Sequence, residues 1–72
     1  MTTIETFHED NIWKNRRQGD SVAFAVFDTK AEAVAAGREV AIREGAEHVI
    51  KNLDGRIAEK NSYGNDPGTI PG

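Results

Sequence analysis

The 72-residue chain contains no cysteine, few aromatic residues and no long apolar run. The lack of cysteine excludes a disulfide framework, a thiolate zinc site and a thiol nucleophile. No apolar run approaches the roughly 18 residues that a membrane-spanning helix needs. The first residues, Met1-Thr2-Thr3, lack the basic and apolar regions of a signal peptide. These absences lead us to expect a protein of a reducing, cytoplasmic setting with no membrane association.

The charge balance is mildly acidic. Twelve acidic and nine basic residues give a formal net charge of -3, which works against general affinity for a phosphate backbone. Hydrophobic residues make up 38% of the chain and charged residues 29%, so a core is possible but thin. A chain of this length has room for one domain.

One helix is predicted from a start signal, an apolar stripe and a stop signal. Thr29 and Glu32 have the spacing of a capping box, and Gly45 is suited to the left-handed conformation that ends helices. Between them, small and apolar residues recur at helical spacing: Ala33, Val34, Gly37, Val40 and Ala41. Because most of these side chains are small, the helix can lie close to a sheet.

A hairpin is predicted after the helix, at Asp54-Gly55, a dipeptide typical of two-residue turns. Residues 47–53 and 56–62 would form its strands. In the register of a two-residue loop, we expect Ile50 and Ile57 to face the helix with His48 beside them. The opposite face would then be half exposed.

Three strands are predicted before the helix, at residues 3–7, 12–17 and 21–27. The third reads as a buried strand, with Val22, Phe24 and Val26 on one side. The predicted fold class is therefore α+β, a small, mainly antiparallel sheet with one helix on one face and the order β-β-β-α-β-β. Residues 1–63 would form the single domain and residues 64–72 a C-terminal turn and flexible tail.

Several motifs resemble those of a small bacterial family catalogued as a domain of unknown function (number 2188). They are D-T-K-A-E-A at residues 28–33, G-A-E-x-V-I at 45–50, the D-G turn with R-I-x-E-K at 54–60, and S-Y-G-N-D-P at 62–67. Members of that family usually carry an aliphatic residue at the position of His48, so the chain departs from the pattern there. The resemblance implies a single α+β domain from a bacterium or its phage, and it implies no activity.

Two histidines stand near carboxylates. His8-Glu9-Asp10 reads as a charged turn, because consecutive strand residues point to opposite faces and cannot readily share a metal. His48 would have Glu59 and Asn61 across the hairpin, a trio able to shift the pKa of a histidine or to bind an ion, although a satisfied structural histidine is commoner. No hydroxyl lies in a nucleophile motif. We expect no catalytic, cofactor or metal site, and no enzyme.

The only basic cluster lies at residues 13–17. Trp13, Lys14, Arg16 and Arg17 combine an aromatic ring with cations, as single-stranded nucleic-acid sites do. On a strand, however, Lys14 and Arg16 face one side while Trp13 and Arg17 face the other. A solvated hairpin with Trp13 in the core is the competing interpretation.

Two further sets of residues complete the predicted surfaces. The outer hairpin face, Val49, Lys51, Leu53 and Ala58, is a candidate protein interface for a partner or a second copy. Tyr63, Gly64 and Asp66 are predicted to end the last strand and clamp it to the core. The function we expect is a non-enzymatic protein-interaction module, and the alternative is a weak nucleic-acid binder through residues 13–17.

Overall fold

A computed structural model describes residues 2–64. The elements in chain order are β1 Thr3–Glu9, β2 Ile12–Arg17, β3 Ala25–Phe27, α1 Lys30–Glu44, β4 Glu47–Lys51 and β5 Ile57–Ser62. Asp66 and the predicted tail after Gly64 lie outside the described residues. No helix within residues 2–64 has the length and hydropathy required to cross a bilayer.

The five strands form one sheet in the order β3-β2-β1-β4-β5. Strands β1 and β4 pair in parallel, and the other three neighbouring pairs are antiparallel. Helix α1 packs against β1, β2, β3 and β4. The predicted α+β class, the element order and the mainly antiparallel sheet are confirmed.

Both ends of the helix form as the sequence predicts. The Thr29 side chain accepts a hydrogen bond from the Glu32 amide over 3.2 Å, and the Thr29 hydroxyl donates to the Glu32 carboxylate over 3.1 Å. At the other end, Gly45 adopts φ 63°, and its amide donates to the last turn. The helix buries Ala33, Gly37 and Ala41 against the sheet.

The helix-facing side of the sheet carries the core. Ile4 on β1 and Ile50 on β4 are buried there, and Ala41 and Ala46 pack with Ile4. Trp13 on β2 is only 8% exposed. The prediction that Trp13 lies in the core is confirmed.

The hairpin after the helix keeps the register of a two-residue loop as far as Ile50, which pairs with Glu59, but differs from it next to the turn. Its loop has three residues, since the Asn52 amide donates to the Arg56 carbonyl and Gly55 adopts φ 87°. Ile50 pairs with Glu59 but Lys51 pairs with Ile57, so one residue between them, Ala58, is the extra residue of a β-bulge. Ile57 consequently shares the face of Lys51, away from the helix, and it is 60% exposed. The prediction that Ile57 faces the helix is wrong, because the bulge shifts the alternation.

The third strand is shorter and more exposed than predicted. Regular pairing with β2 covers only Ala25–Phe27, at the edge of the sheet. Side chains still alternate, with residues 23, 25 and 27 half-buried. Val22, Phe24 and Val26 are 73%, 40% and 54% exposed. The prediction of a buried strand is wrong, because Val26 lies on the face of the sheet opposite to α1 and an edge strand has one neighbour.

Candidate functional site

A polar cluster lies inside the core, between the helix and the sheet. Thr6, Asn15 and His48 come from three adjacent strands, and all three are fully buried. The Thr6 hydroxyl donates to Asn15 Oδ1 over 2.6 Å and lies 2.7 Å from His48 Nε2. Because the hydroxyl has a single proton, His48 Nε2 must carry its own hydrogen and donate to Thr6. The Asn15 amide group then donates to the Ala33 carbonyl of the helix over 2.9 Å.

Gly37 lets the helix approach this cluster. A Cβ atom at position 37 would lie 2.7 Å from His48 Nε2 and 3.0 Å from both Asn15 Oδ1 and Thr6 Oγ1. No side chain larger than hydrogen fits there without displacing the hydrogen-bonded chain. The predicted close approach of helix and sheet therefore depends on Gly37, because three polar side chains fill the space next to it.

The hydroxyl and imidazole of this cluster have the geometry of a nucleophile and a base. Both side chains are fully buried, however, and the Thr6 hydroxyl already donates its proton to Asn15. Burial lowers the pKa of His48, the charge of Arg38 lowers it further, and Glu59 opposes both. His48 Nδ1 is buried with no hydrogen-bond partner among the described residues. The folded protein therefore favours the neutral form of this imidazole more than water does.

The opposite face of the sheet is lined by charged side chains. Glu5 on β1 is almost buried there, with Arg16 Nη2 at 2.8 Å and Lys51 Nζ at 3.7 Å. Burial raises the pKa of Glu5, but the hydrogen bond from Arg16 and the charge of Lys51 outweigh burial, so its pKa lies below the ordinary value. The Arg16 guanidinium also lies 4.4 Å from the centre of the Phe7 ring. Beside these ion pairs the same face carries exposed apolar side chains, since Val26 lies opposite Lys14 and Ile57 opposite Lys51.

The predicted nucleic-acid residues are divided between the two faces of the sheet. Trp13 is buried under the helix, and Lys14 is bonded to Glu9 at 3.0 Å and Asp10 at 3.4 Å. Arg17 is bonded to Glu44 of the helix. With Arg16 on Glu5, each cation of this segment has a carboxylate partner.

The predicted protein interface is likewise divided. Val49 is buried on the charged face, next to Lys51, and Ala58 forms the bulge. Leu53 lies at the hairpin tip and lines a cleft of about 460 Å³ with Trp13 and Lys30. Asn52 and Asp54 complete the lining of that cleft. The four residues do not form one continuous surface.

A different apolar surface lies at the edge strand β3. Val22, Phe24 and Val26 project outward from a segment, residues 21–27, that contains no charged residue. The Arg17 guanidinium lies 5.0 Å from the Phe24 ring. We call residues 21–27 the apolar edge. Sequence reasoning missed its exposure, because an uncharged, β-prone run also reads as an inner strand; the three-residue length of regular pairing was the information it lacked.

The remaining predicted residues fall at the ends of strands. Tyr63 packs against the cluster of Ile4, Ala41 and Ala46, and its amide donates to the Ala46 carbonyl over 3.0 Å. Gly64 follows it half-buried. His8 stacks edge-on against Trp13. Within residues 2–64 no group of three or more histidine and carboxylate side chains is placed to hold a metal ion.

The fold and its surfaces define a small α+β domain with a sealed polar core and one apolar sheet edge. A family model described as an uncharacterized protein conserved in bacteria (DUF2188) matches residues 4–63. The chain belongs to this family, and the resemblance seen in its motifs is confirmed. Searches of curated proteins and of solved structures returned no match.

Proposed function

We propose that the protein is a non-enzymatic protein-interaction module that binds an extended segment of its partner at the apolar edge. The observation that carries the proposal is the exposure of Val26 on the uncharged edge strand β3 and of Val22 and Phe24 in the segment before it. An edge strand leaves backbone donors and acceptors free on one side, and a partner strand can pair with them. Exposed apolar side chains on the same segment would be covered by that strand, which adds hydrophobic stabilisation.

The absence of an enzymatic role is part of the proposal. Support comes from the buried cluster, where the hydroxyl and imidazole nearest to catalytic geometry are both covered by the helix. The proposed setting remains a reducing, cytoplasmic one, which a chain without cysteine suits.

Nucleic-acid binding through residues 13–17 has weaker support. Lys14, Arg16 and Arg17 already contact carboxylates, and Trp13 would have to leave the core to stack on a base. We expect an NMR titration with a short single-stranded DNA to produce no salt-sensitive shifts at these residues. Shifts that weaken with added salt would favour the alternative.

The interaction proposal is tested with two matched lysine variants. Val26→Lys places a charge in the apolar edge, and Ile57→Lys places one at a similarly exposed site on β5. In pull-downs from bacterial lysate, we expect proteins held by the parent chain to be reduced about tenfold with Val26→Lys, because the lysine must be desolvated on pairing. Ile57→Lys should retain them.

Equal recovery by both variants would contradict binding at the apolar edge. Recovery of no protein by the parent chain, with the fold verified by NMR, would contradict the interaction module itself.

A further inference from the structure

We infer that the occupant of the apolar edge is a partner strand with an apolar centre and basic flanks, and not a second copy of this chain; the inference rests on the proposed function. The apolar edge is bracketed by two carboxylates, Asp20 before it and Asp28 after it. Both residues are exposed. Neither forms an ion pair with any residue between 2 and 64.

The basic residues near β3 form their ion pairs with other carboxylates, although the charge of Asp20 adds to the larger effect of Glu44 in raising the pKa of Arg17. Lys14, which lies opposite Val26 on the neighbouring strand, is bonded to Glu9 and Asp10. Arg17, which lies over Phe24, is bonded to Glu44. The ends of the apolar edge therefore present exposed carboxylates that are in no ion pair among residues 2–64, and its centre presents no charge.

A second copy fits this charge pattern poorly. Two apolar edges that pair antiparallel about a two-fold axis at Phe24 place Val22 opposite the second copy's Val26, and this register pairs all seven uncharged residues. The same register places Asp20 opposite the second copy's Asp28 at both ends. Like charges directly opposite each other destabilise a strand pair. Any shifted register separates the carboxylates, but it places a carboxylate opposite an apolar side chain.

A heterologous strand removes this conflict. Residues 20–28 span nine positions, so a partner segment of nine residues with lysine or arginine at both ends would set a cation against each carboxylate. Its seven central residues would pair with the apolar edge. Charge then selects the partner and the register, while the apolar side chains and backbone hydrogen bonds supply the affinity.

Two synthetic peptides test the inference by NMR titration of the labelled full chain. One has lysine at both ends of a seven-residue alternation of threonine and valine, and the other has glutamate at both ends. We expect the lysine peptide to shift amides of residues 20–28 and to bind roughly tenfold more tightly at low salt, with the difference shrinking as salt is added. In the double variant Asp20→Asn, Asp28→Asn the two peptides should bind alike, and that variant should self-associate in sedimentation more than the parent.

Three results would overturn the inference. Equal binding of both peptides to the parent chain would remove the role of charge and leave the apolar edge as a binding surface. Dimerisation of the parent chain in sedimentation, lost in Val26→Lys, would make a second copy the occupant. Binding of neither peptide at residues 20–28 would remove the proposed function together with the inference.

Discussion

The two edges of the sheet differ in how they are protected against pairing. Strand β5 is the longer edge and is exposed along its whole length, yet it carries Glu59, Lys60 and a bulge at Ala58. Strand β3 is half as long, carries no charge and no bulge, and exposes Val26 with Val22 and Phe24 before it. Charges and bulges are the usual means by which proteins prevent unwanted strand addition.

The difference teaches that exposure alone does not identify an interface. Strand β5 exposes more backbone but directs charged side chains to both faces, because Glu59 and Lys60 alternate along it. The apolar edge combines an edge strand with a run of apolar side chains and no charge, whereas the exposed Ile57 of β5 is followed by Glu59 and Lys60. The proposed interface at β3 therefore lies on the side of the sheet farthest from β5.

The largest expected effect on the free energy of unfolding comes from a substitution in the core, which the two edges of the sheet share. Gly37→Ala should lower the free energy of unfolding by about 2 kcal/mol, because overpacking costs about 1–3 kcal/mol and disrupts the hydrogen-bonded chain, while the better helix propensity of alanine returns at most about 1 kcal/mol. Urea unfolding measures the change.

The double variant Gly37→Ala, His48→Val is the control for that prediction, because valine makes room for the new methyl group. We expect it to recover much of the loss. A stabilised Gly37→Ala variant would show that helix and sheet are not held together by this contact, and the two edges could then move independently.

The next effect concerns the end of β5. Tyr63→Ala should destabilise the fold by about 2 kcal/mol, toward the lower end for an aromatic ring because Tyr63 is only partly buried against Ile4, Ala41 and Ala46. Ser62→Ala, at an exposed neighbouring position, should change stability by less than about 0.5 kcal/mol. A Tyr63→Ala variant of unchanged stability that loses partner binding would move the interface from β3 toward the end of β5.

A third effect tests whether the charge of Glu59 on β5 influences the pKa of the buried His48. Burial lowers the pKa of folded His48, so the unfolded chain takes up a proton at a higher pH than the folded chain does. The free energy of unfolding should therefore fall as pH decreases from about 6.5, by at most about 1.4 kcal/mol per pH unit, until the pH reaches the lowered value. His48→Val should lose this dependence.

The same titration separates the contributions of His48, on the helix-facing side of the sheet, and Glu5, on the opposite face, to the pH dependence of stability. Glu59→Gln should extend the fall to lower pH and so increase the total loss, because Glu59 opposes the lowering of the His48 pKa. Glu5, whose pKa lies below its ordinary value, adds a second loss only below about pH 4.3, where the unfolded carboxyl takes up protons. Unfolding curves between about pH 5 and 7 thus report His48, and a flat profile there would contradict the neutral buried imidazole.

The smallest effect on stability, and the sharpest test of the comparison, is conversion of β5 into an unprotected edge. Deleting Ala58 and replacing Glu59 and Lys60 by threonine removes the bulge and both charges, and should change stability by less than about 1 kcal/mol. Because the altered strand resembles β3 without its flanking carboxylates, we expect increased self-association in sedimentation. A variant that stays as monomeric as the parent would show that bulge and charges do not protect this edge.

Sequence patterns predicted the fold where they reflect local chemistry. The helix ends at Thr29 and Gly45 form through contacts within one or two turns, and the element order follows from them. The hairpin register was wrong only next to the turn, where the three-residue loop shifts the pairing by one residue and the bulge at Ala58 restores it. Neither feature has a distinctive residue requirement beyond Gly55. The motifs that indicated the family are also short stretches of local sequence, and the family that they indicated is confirmed.

The candidate surfaces were harder to predict, because exposure depends on strand order. An uncharged segment such as residues 21–27 suits a central strand or an edge equally well, and only the sheet order places it at an edge. The polar cluster of Thr6, Asn15 and His48 joins residues up to 42 positions apart, so no spacing in the sequence indicates it. We expected Gly37 to permit close packing of the helix, but the sequence did not indicate the polar side chains that lie next to it.

The parallel pairing of β1 with β4 also determines the order in which the sheet can be assembled. Each hairpin, β1 with β2 and β4 with β5, closes over a short loop, whereas β1 and β4 meet only after the chain between them has been brought round, with Thr3 beside Glu47. Closing the longer loop costs more chain entropy and slows folding. Docking of the two hairpins is therefore the step expected to limit the folding rate, and the apolar edge, which needs only β2, can form before the helix has covered the core.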